Sequence, residues 1–393
     1  MRDGRTIILN GTVITPFESI AAGMVVIENG KITTISSEKI DRSVLKNAEI
    51  IVAHDKFIVP GFIDLHVHGG GGADFIDGEV EAVRKVALTH SRFGTTAFLP
   101  ATLTISKDKI IKSLQSIREV KASGTGSAEI LGIHLEGPYI NPEKKGAQNE
   151  EDIIQPSKKD FLAFDQASGH LIRLVTLAPE MPGAMNLIPW LQQRQIIVSA
   201  GHTNATYRQI QDAASVGLTH TTHLFNAMRG LHHREPGVVG AALSNPRLTV
   251  EMIADGIHLH PVILKMVAQI KEKEKIMLVT DAMRATGLQE GTYELGGQEV
   301  RVTRGQARLK DGSLAGSVLT MDQAVRNMVN KAGILLHQAI QMATFNPARR
   351  LGIENRKGSL EPGKDADLVV LNQDLEVELT MVSGKIVYRR ETQ

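Results

Sequence analysis

Pro60-Gly61-Phe62-Ile63-Asp64-Leu65-His66-Val67-His68-Gly69 joins an apolar run to a pair of histidines and then to four consecutive glycines, Gly69 to Gly72. In an extended strand successive side chains alternate faces, so His66 and His68 point the same way and can offer two imidazoles to one cation. The glycines have no side chains to crowd a site, which suits a loop opening just past a strand end. A buried strand whose histidines merely find hydrogen-bond partners accounts for the same pattern, and an isolated His-x-His does not separate the two readings.

Working outward, short β-branched runs of this kind recur and alternate with helical patterns, the signature of a parallel sheet built from βα units. The runs are 62–67, 95–99, 130–135, 173–177, 196–200, 219–224, 249–253 and 275–279, eight in all. Helical periodicity lies between most of them, over 80–92, 107–120, 158–167, 184–194, 206–214 and 261–270. Eight strands in this rhythm predict an α/β fold, a (β/α)8 TIM-like barrel rather than an open doubly wound sheet. Residues 293–309 break the rhythm with glycines and short strand-like pieces and are expected to form an inserted hairpin, with helical patterns resuming over 319–330 and 335–344.

At the start of the chain, strand-like runs cover 6–13, 23–27, 31–36 after an Asn29-Gly30 turn, and 50–52; at the end they cover 367–372, 375–382 and 385–389, with a Ser383-Gly384 turn. Neither end alone has enough apolar surface for its own core. The expected organisation is a small β-sandwich domain built from both termini, 1–58 and 353–393, beside a barrel over 59–352; two separate flaps are the alternative.

The 393 residues carry a formal net charge of +1, which gives no whole-chain reason to expect nucleic acid or an anionic membrane as partner. Cysteine is absent, so disulfides and thiolate metal sites are excluded and histidine and carboxylate remain as metal ligands. The first residues, Met1 to Thr6, are polar and lack the apolar core of a signal peptide, and no apolar run approaches bilayer-spanning length, so a cytoplasmic protein is expected. Neither a Gly-x-Ser-x-Gly elbow, a phosphate-binding P-loop nor a dinucleotide-binding glycine turn occurs.

In a barrel of this type functional residues come from the C-terminal ends of the strands. Those ends carry His66 and His68, Glu136, His202, His223 and Asp281. Six metal-competent or acid–base groups at one rim favour a metal site over scattered structural histidines. Taken singly, each has a plainer role: Glu136 can cap the turn at Gly137-Pro138, His202 can be a loop residue before an N-cap at Thr203 or Asn204, and Asp281 can pair with Arg284. His220 and His223, three apart, are expected on opposite strand faces, with His223 nearer the rim; His134 is expected to be structural, deeper in the barrel. A carboxylate in the place of Asp281, beside a metal-activated water, can take a proton and relay it to a leaving group.

Set together, Pro60–Gly69, His134-Leu135-Glu136-Gly137-Pro138, Ala200-Gly201-His202-Thr203, Thr222-His223-Leu224-Phe225-Asn226-Ala227-Met228, Asp255-Gly256-Ile257-His258, Val279-Thr280-Asp281-Ala282-Met283, Leu314-Ala315-Gly316-Ser317 and 362–369 resemble the amidohydrolase superfamily, and within it the N-acetylglucosamine-6-phosphate deacetylases. The likeness covers essentially the whole chain. It implies metal-dependent hydrolysis of the N-acetyl group of an amino-sugar 6-phosphate. Glu136, His202 and His223 then look like the principal metal ligands and Asp281 like the catalytic acid–base. Asn226, Ala227, Arg234, His258 and Ala315, Gly316 and Ser317 match substrate-contacting positions, and Ala147-Gln148 stands where some members have a histidine at the sugar.

The resemblance also implies one or two divalent ions per subunit, zinc or iron. Some members lack the histidine pair of the first strand and use one ion; His66 and His68 are present here, so a second ion bridged by Glu136 is expected. An arginine matching Arg234 reaches the phosphate across a dimer interface, which implies a homodimer, and a planar guanidinium suits that task. No strand-end lysine suited to carboxylation is found, which argues against the dihydroorotase and hydantoinase branch. Two other readings stay open: deacetylation of a related phosphosugar such as N-acetylgalactosamine 6-phosphate, and a catalytically silent barrel that only binds.

Overall fold

The computed structural model describes residues 4–15, 18–37 and 48–391. Met1–Asp3 of the polar N-terminal stretch, and the parts of the two terminal ranges at 16–17, 38–47 and 392–393, lie outside the described residues.

Eight short parallel strands, the third in two pieces, curl into a barrel. The run Phe62–Val67 pairs with Thr95–Pro100, which pairs with Glu129–Ile130; Ile133–Glu136, Ile172–Leu177, Ile197–Ala200, Leu218–Thr221, Thr249–Ile253 and Ile276–Val279 follow in order in a second sheet. Bridges from Ala101 to His134 and from Val67 to Ala282 join the two sheets at both seams. The third run, expected to be continuous over 130–135, is interrupted, because Leu131 donates its N–H to Phe98 O while Ile133 donates to Leu171 O. Gly132 permits that change of partner: a Cβ there would lie 2.3 Å from Arg173 Cγ. Strands buried on both faces explain the continuous apolar runs in the sequence.

The expected helices are present, at Val80–Ser91, Lys107–Ser123, Lys158–Ser168, Ala184–Gln192, Tyr207–Ser215 and Pro261–Ile270. Sequence reasoning missed Gly237–Ser244, whose Gly-Val-Val-Gly-Ala-Ala-Leu-Ser run is apolar on every side and so has no helical period to detect. The run 293–309 forms three antiparallel strands, Gly291–Leu295, Gln298–Thr303 and Gln306–Arg308, one more than a hairpin.

Strands from the two chain ends share one eight-stranded sheet. Its seam is Phe57–Pro60 against Leu368–Leu371, antiparallel, with Pro60 opposite Leu368 and Phe57 opposite Leu371. The first of these strands was not among those expected; at the last position of a short strand a proline is tolerated. Alternation sorts the seam residues: Ile58, Leu368 and Val370 enter an apolar cluster belonging to this sheet, while Val59, Val369 and Leu371 pack into the barrel core.

Candidate functional site

Glu136 ends its strand fully buried, and its two carboxylate oxygens face different histidine pairs. Oε1 lies 3.2 Å from His202 Nε2 and 3.2 Å from His223 Nε2, which are 3.1 Å from each other. Oε2 lies 3.2 Å from His68 Nε2 and 3.4 Å from His66 Nε2, themselves 3.1 Å apart, and Asp281 Oδ1 completes this second group at 3.1 Å from His68 and 3.5 Å from His66.

The donor set identifies what such a group can hold. His202 Nδ1 and His223 Nδ1 sit 2.9 and 3.1 Å from the carbonyl oxygens of Lys144 and Asn226, so each donates its N–H there and turns a bare Nε2 lone pair inward. With both rings neutral, two lone pairs and a carboxylate oxygen converge. A cation satisfies that arrangement, and the spacing matches the edges, about 3.3 Å, of a tetrahedral ion with bonds of about 2.0–2.1 Å to nitrogen and oxygen.

The backbone that aims these groups is unusual. His202, His223 and Asp281 have φ values of 47°, 31° and 50°, in the left-handed region that few residues other than glycine occupy. Each strand therefore turns sharply at its end and throws the side chain over the barrel mouth, and strain of this kind persists where packing over-determines it. Gly316 comes up against the Asp281 turn, where a Cβ would lie 2.9 Å from Asp281 O. Above the cluster opens a cleft of about 220 Å³.

Residues 57–387 match the model of the amidohydrolase family. The chain belongs to that family. A curated N-acetylglucosamine-6-phosphate deacetylase of Bacillus subtilis is 43% identical over 379 residues, covering 96% of this chain and 95% of the relative. An N-acetylgalactosamine-6-phosphate deacetylase of Escherichia coli O157:H7 is 40% identical over 331 residues, covering 84% and 88%. Among solved structures, a mutant of N-acetyl-D-glucosamine-6-phosphate deacetylase from Mycobacterium smegmatis, in complex with N-acetyl-D-glucosamine-6-phosphate, superposes with a TM-score of 0.92 at 33% identity, covering 98% of this chain and 99% of that one.

In this amidohydrolase the fold brings most of the sequence-predicted residues to one cleft. His68, Glu136, Ala147, Gln148, His202, His223, Asn226, Ala227, His258, Asp281 and Gly316 line it. His66 lies just beneath, fully buried. Ala315 and Ser317 flank Gly316 from inside the protein, and Ser317 donates its N–H to Asp281 O at 2.7 Å. Arg234 is not brought in: it is exposed, outside the cleft, and bonded to His233 Nε2 at 2.7 Å.

Several sequence expectations need correction. The strand carrying His220 ends at Thr221, so alternation does not extend to His223, and both histidines turn inward. The plainer alternative for Asp281, a pair with Arg284, does not form, and Arg284 pairs with Asp77 and Glu294, each at 2.9 Å. The four glycines are not an open loop; Gly69-Gly70 pair with Ala73-Asp74 in a tight turn, and a Cβ on Gly69 would lie 2.5 Å from Ala73 O.

Other parts of this site were not anticipated. Leu103 and Leu295 form apolar wall, the latter brought by the inserted sheet, whose Gln298 also donates to Ala147 O at 2.7 Å. Asp255 accepts His258 Nδ1–H at 2.7 Å and leaves the other ring nitrogen free; the Asp-Gly-x-His spacing was a usable signal. Glu251 lies beneath the cluster, and a lone carboxylate inside the run Thr249-Val250-Glu251-Met252-Ile253 was its signal.

Electrostatics agree with the donor geometry. Burial opposes a charged imidazole, yet the carboxylates of Glu136 and Asp281 hold His66 well above its ordinary range and bring His68 to about 9. Burial likewise opposes ionised carboxylates, but His66, His202 and His223 pull Glu136 below its ordinary range, and His66 and His68 do the same for Asp281. The His66 and His68 pair favours positive charge, which protons on the two rings supply in the protein alone and a metal ion would supply in their place. Deeper down, burial lowers His134 to about 3, consistent with a neutral ring bonded to Thr176 Oγ1 at 2.7 Å.

Proposed function

We propose that this amidohydrolase is an N-acetylglucosamine-6-phosphate deacetylase, hydrolysing N-acetyl-D-glucosamine 6-phosphate to D-glucosamine 6-phosphate and acetate in amino-sugar catabolism and recycling. The observation that carries the reading is the convergence of Glu136 Oε1, His202 Nε2 and His223 Nε2 at the base of a cleft in a chain with full-length deacetylase relatives. Glu136, His202 and His223 would hold one divalent ion, zinc or iron, and His66, His68 and Asp281, together with Glu136, would hold a second.

Ions so held supply positive charge that polarises an amide carbonyl and acidifies a neighbouring water. The protein does the rest. Asp281, with Oδ1 facing the cluster, takes the proton of the attacking water and returns it to the departing amine nitrogen. His258, oriented by Asp255, and Asn226 hold the sugar; Ala147, Ala227 and the 315–317 loop shape the cleft, and Leu103 and Leu295 exclude water from one side.

A homodimer in which Arg234 reaches the neighbouring subunit's phosphate is part of this reading. It is supported by the exposure of Arg234 and of its neighbour Leu231, 59% exposed, and by Val262, Met266 and Ile270, exposed at 56, 45 and 57% along one face of their helix. A small β-sandwich over 1–58 and 353–393 beside a catalytic barrel over 59–352 is supported by the shared terminal sheet with its own apolar cluster. No helix among the described residues is long and apolar enough to cross a membrane. A cytoplasmic setting fits a phosphorylated substrate, which does not cross a bilayer unaided.

Elemental analysis of protein purified without added metal, paired with acetate release from the phosphosugar, tests the proposal. Zinc or iron at one or two per chain, activity lost on chelation and restored by metal, is the expected result. Acetate release that survives complete metal removal overturns it. The named relative from Escherichia coli O157:H7 favours N-acetylgalactosamine 6-phosphate as a second reading, and kcat/KM measured side by side on the two sugars decides between them.

A further inference from the structure

Glu251 is the third residue of Thr249–Ile253, fully buried, and does not line the cleft. Its carboxylate nevertheless touches both halves of the metal cluster. Oε2 lies 3.2 Å from His66 Nδ1 and accepts the backbone N–H of His223, also at 3.2 Å; Oε1 lies 3.0 Å from His220 Nε2.

The two histidine pairs are aimed by different means. His202 and His223 are oriented by main-chain carbonyls, Lys144 O and Asn226 O, which no side-chain substitution removes. His66 is oriented by a side chain. An ionised carboxylate only accepts, so its bond to His66 is an Nδ1–H donated to Glu251, which fixes the tautomer with the Nε2 lone pair facing His68, Glu136 and Asp281. His68, the other imidazole of that group, has no hydrogen-bond partner at Nδ1. The orientation of the second group therefore depends on Glu251, and a carboxylate behind a ligating imidazole also raises its basicity as a ligand.

We infer that Glu251 is the positioning residue for the second metal ion: acting through His66, it determines whether this chain holds two ions or one. The inference rests on the reading that His66, His68, Asp281 and Glu136 Oε2 hold an ion at all.

The test is a metal titration of the full-length protein and its Glu251→Gln variant, both stripped and reloaded with Co(II), followed by absorption and electron paramagnetic resonance. The parent is expected to bind two ions that are magnetically coupled. Glu251→Gln is expected to keep the first at parental affinity, to bind the second about 10–100-fold more weakly, and to show the uncoupled spectrum of a single ion. In a His66→Ala background, Glu251→Gln is expected to change the remaining ion's affinity by less than about twofold, because a residue acting through His66 has nothing left to act on.

Two ions bound at parental affinity in Glu251→Gln overturn the role of Glu251 and leave the two-ion reading standing. A parent that binds one ion overturns the two-ion reading, and this inference with it. Loss of both ions together, or a further loss in the His66→Ala background, marks a general structural role and overturns the inference. Should Glu251→Gln not fold, Glu251→Met, which fills the space without hydrogen bonds, is judged by the same measurements.

Discussion

Gln148 donates its side-chain amide to Glu136 Oε2 at 3.1 Å. Its own carbonyl accepts the backbone N–H of Thr104, so both ends of this buried amide are engaged inside the protein. Gln148 faces the carboxylate shared by the two histidine pairs more directly than it faces open cleft. Gln148→Ala is expected to lower kcat roughly tenfold, about 1–2 kcal/mol for a lost hydrogen bond to a charged group, with KM near the parental value. Steady-state acetate release checks this; a rise in KM at unchanged kcat places Gln148 on the sugar instead.

Asp281 sits 3.1 Å from His68 and turns into the cleft from a left-handed backbone. Asp281→Asn preserves shape and removes the proton acceptor. Turnover is expected to fall by about 10²–10⁴-fold, the usual worth of a positioned acid–base group, while the ion at Glu136, His202 and His223 is retained. Kinetics with metal analysis on the same sample test it, and near-parental turnover removes Asp281 from the chemistry.

Asp255 holds His258 through Nδ1 and also accepts the backbone N–H groups of Ile257 and His258, at 2.7 and 2.8 Å. It touches no group of the metal cluster. Asp255→Asn is therefore expected to raise KM for the phosphosugar several-fold with little change in metal content, because a ring free to turn binds the substrate less well before and during reaction alike. An unchanged KM removes His258 from substrate binding.

Lys357, fully buried, joins the terminal sheet to the barrel. Its ammonium lies 2.9 Å from Glu129 and 3.1 Å from Asp365, contacts Asp367 as well, and is seconded by Arg356 at 2.9 and 2.8 Å from Glu129 and Asp365. Burial opposes the charge on Glu129, but Arg356 and Lys357 outweigh it and bring that carboxyl from 4.5 to about 2. A folded-state value below the unfolded one means stability that is complete above about pH 4.5 and lost as pH falls towards about 2. The melting-temperature difference between the parent and Glu129→Gln is expected to be largest near neutrality and to shrink below pH 4.5. Lys357→Met, which strands buried carboxylates, is expected to cost about 3–5 kcal/mol at neutral pH in denaturant unfolding.

Much of this was legible along the chain. Continuous apolar runs located the eight barrel strands, which are buried on both faces, and period-3.6 patterns located most helices, because burial on one face leaves a periodic trace whatever the partner. Histidines and carboxylates at strand ends were legible for the same local reason. Where the trace fails, the element is missed: Gly237–Ser244 is apolar throughout. His220 was misplaced because alternation was carried past Thr221, where the strand stops.

The sequence by itself determined the βα rhythm and the placing of histidines and carboxylates at one rim, since each depends on neighbours a few residues apart. Tertiary structure alone decided that the two oxygens of Glu136 face different histidine pairs, that Glu251 stands behind His66 from 185 positions away, and that Gln148 turns to Glu136. Those relations depend on which strands become neighbours and how far the barrel closes, and no local period carries that information.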